Sequence, residues 1–124
     1  MARNRKSARQ AGTAFERLIA DCLAAHIDGR IDRRPKRGAK DRGDVGGLRS
    51  PHGHRIVVEA KDNGGQINAA AFVTQADIER GNDDAIAGLV VAKRKGRANS
   101  LDQYVLTTVR DLVAILTGER PEET

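Results

Sequence analysis

The run Val57-Val58-Glu59-Ala60-Lys61 carries two charges on a segment that otherwise has the composition of a buried β-strand. Successive side chains of a strand point to opposite faces, so Glu59 and Lys61 share one face. The apolar side chains of Ile56, Val58 and Ala60 take the other face. Because charges are costly on a core strand unless they are paired, this segment is the first candidate for a functional site.

A second carboxylate lies just upstream, in the short predicted strand Gly43-Asp44-Val45-Gly46-Gly47-Leu48. The segment Ser50-Pro51-His52-Gly53 between the two strands has the composition of a turn. A hairpin with a symmetric turn there would place Asp44 directly opposite Glu59, with Cβ atoms ~5 Å apart. Two such carboxylates repel each other, and a divalent cation such as Mg²⁺ is their natural neutraliser.

An acid on the first helix, an Asp at the head of a strand and Glu-x-Lys on the next strand resemble the PD-(D/E)xK nucleases. Within them the chain is most similar to the small Holliday-junction resolvases of archaeal and phage type, over Thr13 to Leu116. The resemblance implies that Glu16, Asp44 and Glu59 ligate Mg²⁺, for which Mn²⁺ would substitute. It also implies that Lys61 serves the attacking water or the scissile phosphate.

The chain departs from the family pattern in two places. Gly43 stands where the family name has Pro, at a position that shapes the turn and holds no metal. The archaeal members use a Ser in the loop before the Asp, whereas residues 35–43 contain no Ser or Thr. The catalytic contribution of this loop is therefore an open question.

The resemblance implies a Mg²⁺-dependent endodeoxyribonuclease that cuts four-way junctions or other branched DNA as a homodimer, since paired incisions need two symmetric sites. Two alternatives stay open. A nuclease of the same fold could act on ordinary duplex DNA, or the chain could be a non-catalytic basic DNA-binding module. One metal or two cannot be decided from a set of ligands.

Two candidate site residues have competing structural explanations. Thr13-Ala14-Phe15-Glu16 matches a capping box, in which the Glu side chain serves the start of a helix. Gln75 lies between Ala71 and Ile78 at helical spacing, which predicts an inward amide. In related nucleases a glutamine on this helix points at the site, so Gln75 is a candidate catalytic residue; a satisfied core amide is the alternative.

The basic charge is concentrated near the amino terminus. The net charge is +5, and residues 1–43 hold 12 Lys and Arg against 5 acids, whereas residues 44–124 hold 10 against 12. Such clustering favours a polyanionic partner, the alternative being a solubilising tail and a solvated loop. The predicted DNA-binding residues are Arg3, Arg5, Lys6, Arg9, Arg33, Arg34, Lys36, Arg37, Lys40 and Arg42.

Other features exclude whole classes of function. A single cysteine, Cys22, excludes an internal disulfide or a thiolate zinc cluster and is expected in the core. No apolar run predicts a membrane span or signal peptide, which favours the cytoplasm of a bacterial, archaeal or phage-infected cell. Only three aromatic residues argue against a binder of single strands built on base stacking. His52 and His54 flank the turn remote from the carboxylates and are expected in solvent.

The pattern predicts an α/β fold, a mixed β-sheet with flanking helices in the order α-β-β-β-α-β-β-α. The family resemblance implies that this fold is similar to that of restriction endonucleases. We expect a basic flexible arm over residues 1–12, one nuclease domain over 13–117 and an acidic disordered tail over 118–124. The predicted elements are a helix over Ala14–Ile27, a strand near 30–34, a hairpin of Asp44–Leu48 and His54–Lys61, a helix over Asn68–Arg80, strands over Ile86–Ala92 and Leu101–Leu106, and a helix over Thr108–Leu116 with Val109, Leu112, Val113 and Leu116 inward.

Overall fold

The structure, a computed structural model, describes residues 4–36 and 38–123. These residues form three helices and five strands, with two short 3₁₀ helices between them. The predicted α/β class and mixed sheet are confirmed, while the predicted order is not matched exactly because the 3₁₀ helices interrupt it. The elements are α1 Arg5–His26, β1 Asp32–Arg33, a 3₁₀ helix Gly38–Lys40, β2 Val45–Gly46, β3 Ile56–Lys61, α2 Ala69–Asp83, β4 Ala87–Ala92, a 3₁₀ helix Ser100–Asp102, β5 Tyr104–Leu106 and α3 Val109–Thr117.

The sheet has the strand order β1-β2-β3-β4-β5, with β3 at its centre. Only β3 and β4 run parallel, because α2 connects them as a crossover; the other neighbours are antiparallel. A crossover of this kind carries its helix on one face of the sheet. The sheet therefore lies between α1 on one face and α2 on the other.

The predicted alternation along β3 is confirmed by the two cores. Ile56, Val58 and Ala60 belong to the larger core, which α1 covers with Phe15 and Ile19. The smaller core, on the other face, joins Phe72 and Ala76 of α2 to Val90 of β4. Glu59, on the face opposite Val58, therefore points toward α2.

Helix α1 begins at Arg5, well before the predicted start at Ala14. Its N-cap is Asn4, whose side chain accepts a hydrogen bond of 2.8 Å from the Ser7 backbone N–H. Residues 5–12 of the predicted arm therefore lie in α1, whereas Arg3 lies outside the described residues. The predicted capping box is wrong, because Thr13 is in the middle of a helix whose backbone N–H groups are already bonded.

The hairpin reaches its predicted register by an unexpected route. The turn is centred on His52, since Ser50 N–H donates to the His54 carbonyl (2.8 Å), so the symmetric turn between Pro51 and His52 was wrong. Farther along, Ile56 N–H bonds to the Leu48 carbonyl, but Val45 pairs with Val58. Two glycines, 46 and 47, therefore face one residue of β3, which is a β-bulge.

The bulge depends on Gly47, whose φ of 93° is in the left-handed region. A Cβ on Gly47 would lie 2.9 Å from the Arg30 carbonyl oxygen. The extra residue in the bulge offsets the one-residue shift of the turn. Val45 therefore faces Val58, as the sequence predicts, and Asp44, whose N–H also bonds to the Val58 carbonyl, lies next to Glu59.

Helix α3 is rotated relative to the prediction. The four side chains expected inside, Val109, Leu112, Val113 and Leu116, are exposed by 78%, 48%, 37% and 66%. Asp111 is buried instead, and it accepts hydrogen bonds from Gly88 N–H (2.8 Å) and from Arg120 (2.6 Å). This polar attachment to the first residues of β4 sets which face of α3 is inward, and apolar periodicity does not reveal it.

The carboxyl-terminal segment is attached to the domain as far as residue 123. Arg120 donates to the Ile86 carbonyl and to Asp111, and Arg110 donates to the Pro121 carbonyl. Two arginines thus join the segment predicted as an acidic tail to α3 and to the residue before β4. In the described part of the chain, no helix combines the length and apolarity that crossing a bilayer requires.

Candidate active site

The predicted site residues meet in one cleft of about 260 Å³ at the end of β3, between α1 and α2. All five predicted catalytic residues line it. They are Glu16 of α1, Asp44 before β2, Glu59 and Lys61 of β3, and Gln75 of α2. Lys36 of the loop over residues 35–43, called the basic loop below, also lines the cleft.

Asp44 is fixed to β3 through its backbone and its side chain. Its N–H donates to the Val58 carbonyl (2.9 Å), and its Oδ2 accepts from Ala60 N–H (2.8 Å). The side chain is only 3% exposed, and its carboxyl group is hydrogen-bonded to that of Glu59. The predicted meeting of Asp44 and Glu59 on one face of the sheet is therefore confirmed.

Glu16 reaches the same cleft from α1 and is 4% exposed. Its Oε2 accepts a hydrogen bond from Arg33 (3.1 Å). The Lys36 ammonium lies 3.3 Å from Glu16 Oε1 and 3.4 Å from Asp44 Oδ1. Of the two explanations that the sequence allows for Glu16, helix cap or site residue, its position supports the second.

Gln75 contacts Glu59, although not for the predicted reason. Its neighbours Ala71 and Ile78 are exposed, so the expected inward face was wrong. Gln75 lies at the edge of the buried face, from which its Nε2 donates to Glu59 Oε2 (2.9 Å) and to Glu79 Oε1 (3.2 Å).

Glu79 was missed by the sequence analysis. It is 3% exposed and lies within hydrogen-bonding distance of Glu59. The pattern that could have revealed it is the buried face of α2, where acids follow apolar residues at helical spacing. That face consists of Phe72, Ala76, Glu79 and Asp83.

Lys61 is half-buried and lines the cleft on the same face of β3 as Glu59. Its Nζ lies 5.9 Å from the centre of the Phe72 ring, within the range of a cation–π contact. The aromatic ring of α2 therefore helps to hold the ammonium group near the carboxylates.

The carboxylates have divergent proton affinities. Burial, followed by the neighbouring carboxyls of Asp44 and Glu79, raises the pKa of Glu59 to about 11. Burial and Asp44 also raise the pKa of Glu16, against the opposing effect of Lys36. Burial opposes ionisation of Asp44, but bonds from Glu59 and Ala60 N–H and the Lys36 charge bring its pKa below the ordinary value. The cluster therefore holds a proton on Glu59 when no further cation compensates it.

The side chains fit a divalent cation in their chemistry. Carboxylate oxygens are the ligands that Mg²⁺ prefers. The Lys36 ammonium group lies between the carboxylates of Glu16 and Asp44, where a metal cation would compensate the same charges. Among residues 4–36 and 38–123, however, no group of three or more His, Cys, Asp or Glu side chains is arranged to hold a metal ion directly. His52 and His54 are exposed on the hairpin turn, as expected.

The predicted DNA-binding residues divide into two groups. Arg33 and Lys36 pair with the site carboxylates, and Arg34 and Arg42 lie 3.3 and 4.0 Å from buried Asp83. The second group is exposed and consists of Arg5, Lys6 and Arg9 of α1 and Lys40 of the basic loop. Arg37, like Arg3, lies outside the described residues.

A groove of about 780 Å³ runs beside the cleft along α1. Lys6, Arg9, Arg17 and Arg33 line it, and Arg9 lines the cleft as well. The helical continuation of the amino-terminal segment thus brings its positive charge next to the carboxylates.

Comparison of the chain with protein-family models, curated proteins and solved structures gives no match. The likeness to PD-(D/E)xK nucleases and to restriction endonucleases therefore stays a prediction, based on the motif residues and their arrangement.

The raised pKa of Glu59 makes stability depend on pH. The unfolded chain loses this proton near the ordinary value of 4.5, while the folded protein keeps it up to about 11. The contribution of Glu59 to the free energy of unfolding is therefore fully present below the unfolded pKa of 4.5 and falls as the pH rises toward the folded pKa of about 11. Glu59→Gln should melt at a higher temperature than the unchanged protein at about pH 9, with a smaller difference at about pH 5.

Thermal unfolding in EDTA, followed by circular dichroism, measures this difference. The exposed Glu122→Gln is the control and should show no pH-dependent difference. A Glu59→Gln effect that is the same at both pH values would contradict the assignment of the proton to Glu59.

Proposed function

We propose that the protein is a divalent-metal-dependent endodeoxyribonuclease of the PD-(D/E)xK type. The observation that carries this proposal is the meeting of the Asp44 and Glu59 carboxylates across two strands, with Lys61 on the same face. Buried like charges cost stability. Here they surround an accessible cleft, which is the arrangement expected of a site that binds a cation and a phosphodiester.

The side chains have separate roles in this proposal. Asp44, Glu59 and Glu16 would hold Mg²⁺, which when bound supplies an activated water and offsets the charge that develops on the phosphate. Lys61, which lines the same cleft, would stabilise negative charge at the scissile phosphate. Gln75 orients Glu59 by donating to its Oε2 (2.9 Å).

Lys36 has a role in charge compensation that the sequence does not indicate. Its ammonium group balances the charges of Glu16 and Asp44, although the side chain as a whole is 69% exposed. We infer that it holds the two carboxylates together until a divalent cation takes over the compensation. Lys36 would then be free to contact the DNA backbone, as predicted for this residue.

The DNA would lie along the basic groove of α1. Lys6 and Arg9 are exposed there, and Arg9 also borders the cleft. Contacts of this kind bind phosphates without reading sequence. Arg34 and Arg42 contribute to positioning the basic loop on Asp83 as well as to the positive potential.

We further infer a branched substrate and a homodimer. A junction is cut by symmetric incisions on two strands, which a two-fold dimer provides. Helix α3 carries the matching surface, because exposed Val109, Leu112, Val113 and Leu116 have the spacing of a helix that packs against another helix. Next to it, Val105 is 58% exposed on the edge strand β5. In a two-fold dimer, the exposed stripe of α3 would pack against the same stripe of a second copy of this chain.

The catalytic prediction concerns the two meeting carboxylates. Asp44→Asn and Glu59→Ala should each lower Mg²⁺-dependent cleavage by at least about a hundredfold, or ~2.7 kcal/mol in the barrier. DNA binding should stay unchanged or become tighter, because fewer acids repel the phosphates. Ca²⁺ should support binding with little cleavage.

Gels of labelled junction, fork and linear duplex, each with Mg²⁺ and with EDTA, measure both effects. The exposed Asp102→Asn is a matched loss of one carboxylate and should cleave normally. Cleavage within tenfold of the unchanged protein in both site variants would reject this site. Equal cutting of duplex and junction would favour the duplex nuclease, and tight binding without cleavage would favour the non-catalytic module.

The groove prediction concerns Arg5, Lys6 and Arg9. Changing all three to Ala, which keeps α1 helical, should weaken DNA binding and lower the log–log salt slope by ~0.9 for each phosphate that the variant no longer neutralises. Binding titrations at several salt concentrations measure the slope. Arg30→Ala is the control, because Arg30 is 85% exposed and pairs with Asp28. An unchanged slope in the triple variant would show that these residues serve solubility alone.

The dimer prediction concerns α3. Leu112→Glu combined with Leu116→Glu should weaken self-association at least tenfold, or ~1.4 kcal/mol, because the interface would bury charges. Sedimentation velocity across a concentration series measures it. The control is Ile78→Glu on α2, a residue 60% exposed outside this stripe. A monomeric unchanged protein, or equal disruption by the control, would reject the interface.

A further inference from the structure

Glu79 is the one member of the carboxylate cluster for which the proposed function has no use. Its side chain is 3% exposed, and its Oε2 is buried without a hydrogen-bond partner among the described residues. An apolar residue would fill this position on the inner face of α2 at a lower cost in desolvation. A carboxylate that is buried beside another carboxylate therefore calls for an explanation.

The contact between Glu79 and Gln75 provides it. The primary amide of Gln75 has two N–H groups on Nε2, and they are used in full: one goes to Glu59 Oε2 (2.9 Å) and the other to Glu79 Oε1 (3.2 Å). A rotated amide would place its carbonyl oxygen against two carboxyl groups. With acceptors on both sides, only one orientation of the amide is favourable.

We propose that Glu79 is a positioning residue, which through Gln75 directs Glu59 toward the cation site. Glu79 accepts one N–H of Gln75, and the second N–H is thereby aimed at Glu59 Oε2. Glu59 Oε1 receives no hydrogen bond from Gln75 and is then left for the cleft. This inference rests on the proposed function, since it assigns to Glu79 the support of a metal ligand.

The spacing along α2 explains how the contact is built. Residues four apart on a helix are neighbours on its surface, so Glu79 lies one turn below Gln75. Gln75 is at the edge of the buried face, while Glu79 is within it. The rigid helix thus supplies both the donor at the rim of the cleft and the acceptor that orients it.

Three variants separate the role of Glu79 as a hydrogen-bond acceptor from the role of its charge. Glu79→Leu removes the acceptor at similar size, Glu79→Gln keeps a carbonyl acceptor without the charge, and Gln75→Leu removes the intermediary. In calorimetric titrations of the full chain with Mn²⁺, Glu79→Leu should bind about tenfold more weakly, the lower end of effects for residues that support a metal ligand. Glu79→Gln should stay within about threefold of the unchanged protein.

A double variant tests whether Glu79 acts on Glu59 through Gln75. If Glu79 acts only through Gln75, Glu79→Leu combined with Gln75→Leu should bind Mn²⁺ no more weakly than Gln75→Leu alone. The matched control is Asp84→Asn, which removes an exposed carboxylate from the end of the same helix at a left-handed position that Asn tolerates. It should leave Mn²⁺ affinity unchanged.

Each other outcome overturns the proposal. Unchanged affinity in Glu79→Leu would make Glu79 irrelevant to the site, and equal weakening in Glu79→Gln would make its charge, not its acceptor, the cause. Additive losses in the double variant would exclude the route through Gln75.

A metal-free readout separates this inference from the proposed function. In ¹⁵N spectra of the full chain, the Gln75 side-chain amide should shift in Glu79→Leu and stay close to its original position in Glu79→Gln. If the unchanged protein binds no Mn²⁺ or cuts no DNA, the proposed function fails, and these amide signals still decide whether Glu79 positions Gln75. Unmoved signals in Glu79→Leu would reject the positioning role even in an active nuclease.

Discussion

The candidate site depends on the attachment of Asp44 to β3. One hydrogen bond joins its backbone to Val58 and another joins its carboxylate to Ala60 N–H. These bonds hold a carboxylate against Glu59, where repulsion and desolvation would otherwise drive them apart. The bulge at Gly46 and Gly47 is the backbone feature that makes this pairing possible, because a strand slipped by one residue would turn its side chains to the opposite face.

Charge compensation then organises the surroundings of this pair. Lys36 bridges Glu16 and Asp44, Arg33 pairs with Glu16, and Gln75 donates to Glu59. The basic loop is therefore held by the acids of the site as well as being available to phosphates. The same contacts explain how the protein tolerates buried carboxylates: each is costly alone, and the neighbouring cations and N–H donors compensate them.

Helix α1 links this cluster to the basic amino terminus. Because the helix begins at Arg5, residues that a flexible arm would scatter in solvent lie in a row beside the cleft. At the far side of the sheet, Asp111 attaches α3 to Gly88 and leaves the apolar stripe of α3 exposed. Polar contacts thus decide the positions of both the acidic cluster and the outer helix, whereas the apolar cores decide the layering of the sheet.

The sequence by itself determined the α/β class and the two faces of β3, because side-chain alternation is a local property. The family resemblance, not a local pattern, placed Glu16 and Gln75 with Asp44, Glu59 and Lys61. Helix α1 was placed too short, since Asn4 caps a turn with no apolar periodicity. Tertiary structure alone decided the rotation of α3 and the inclusion of Lys36 in the cluster. The reason is physical: those features depend on hydrogen bonds and ion pairs between residues far apart in the chain, and no local pattern encodes which distant partner a buried charge will find.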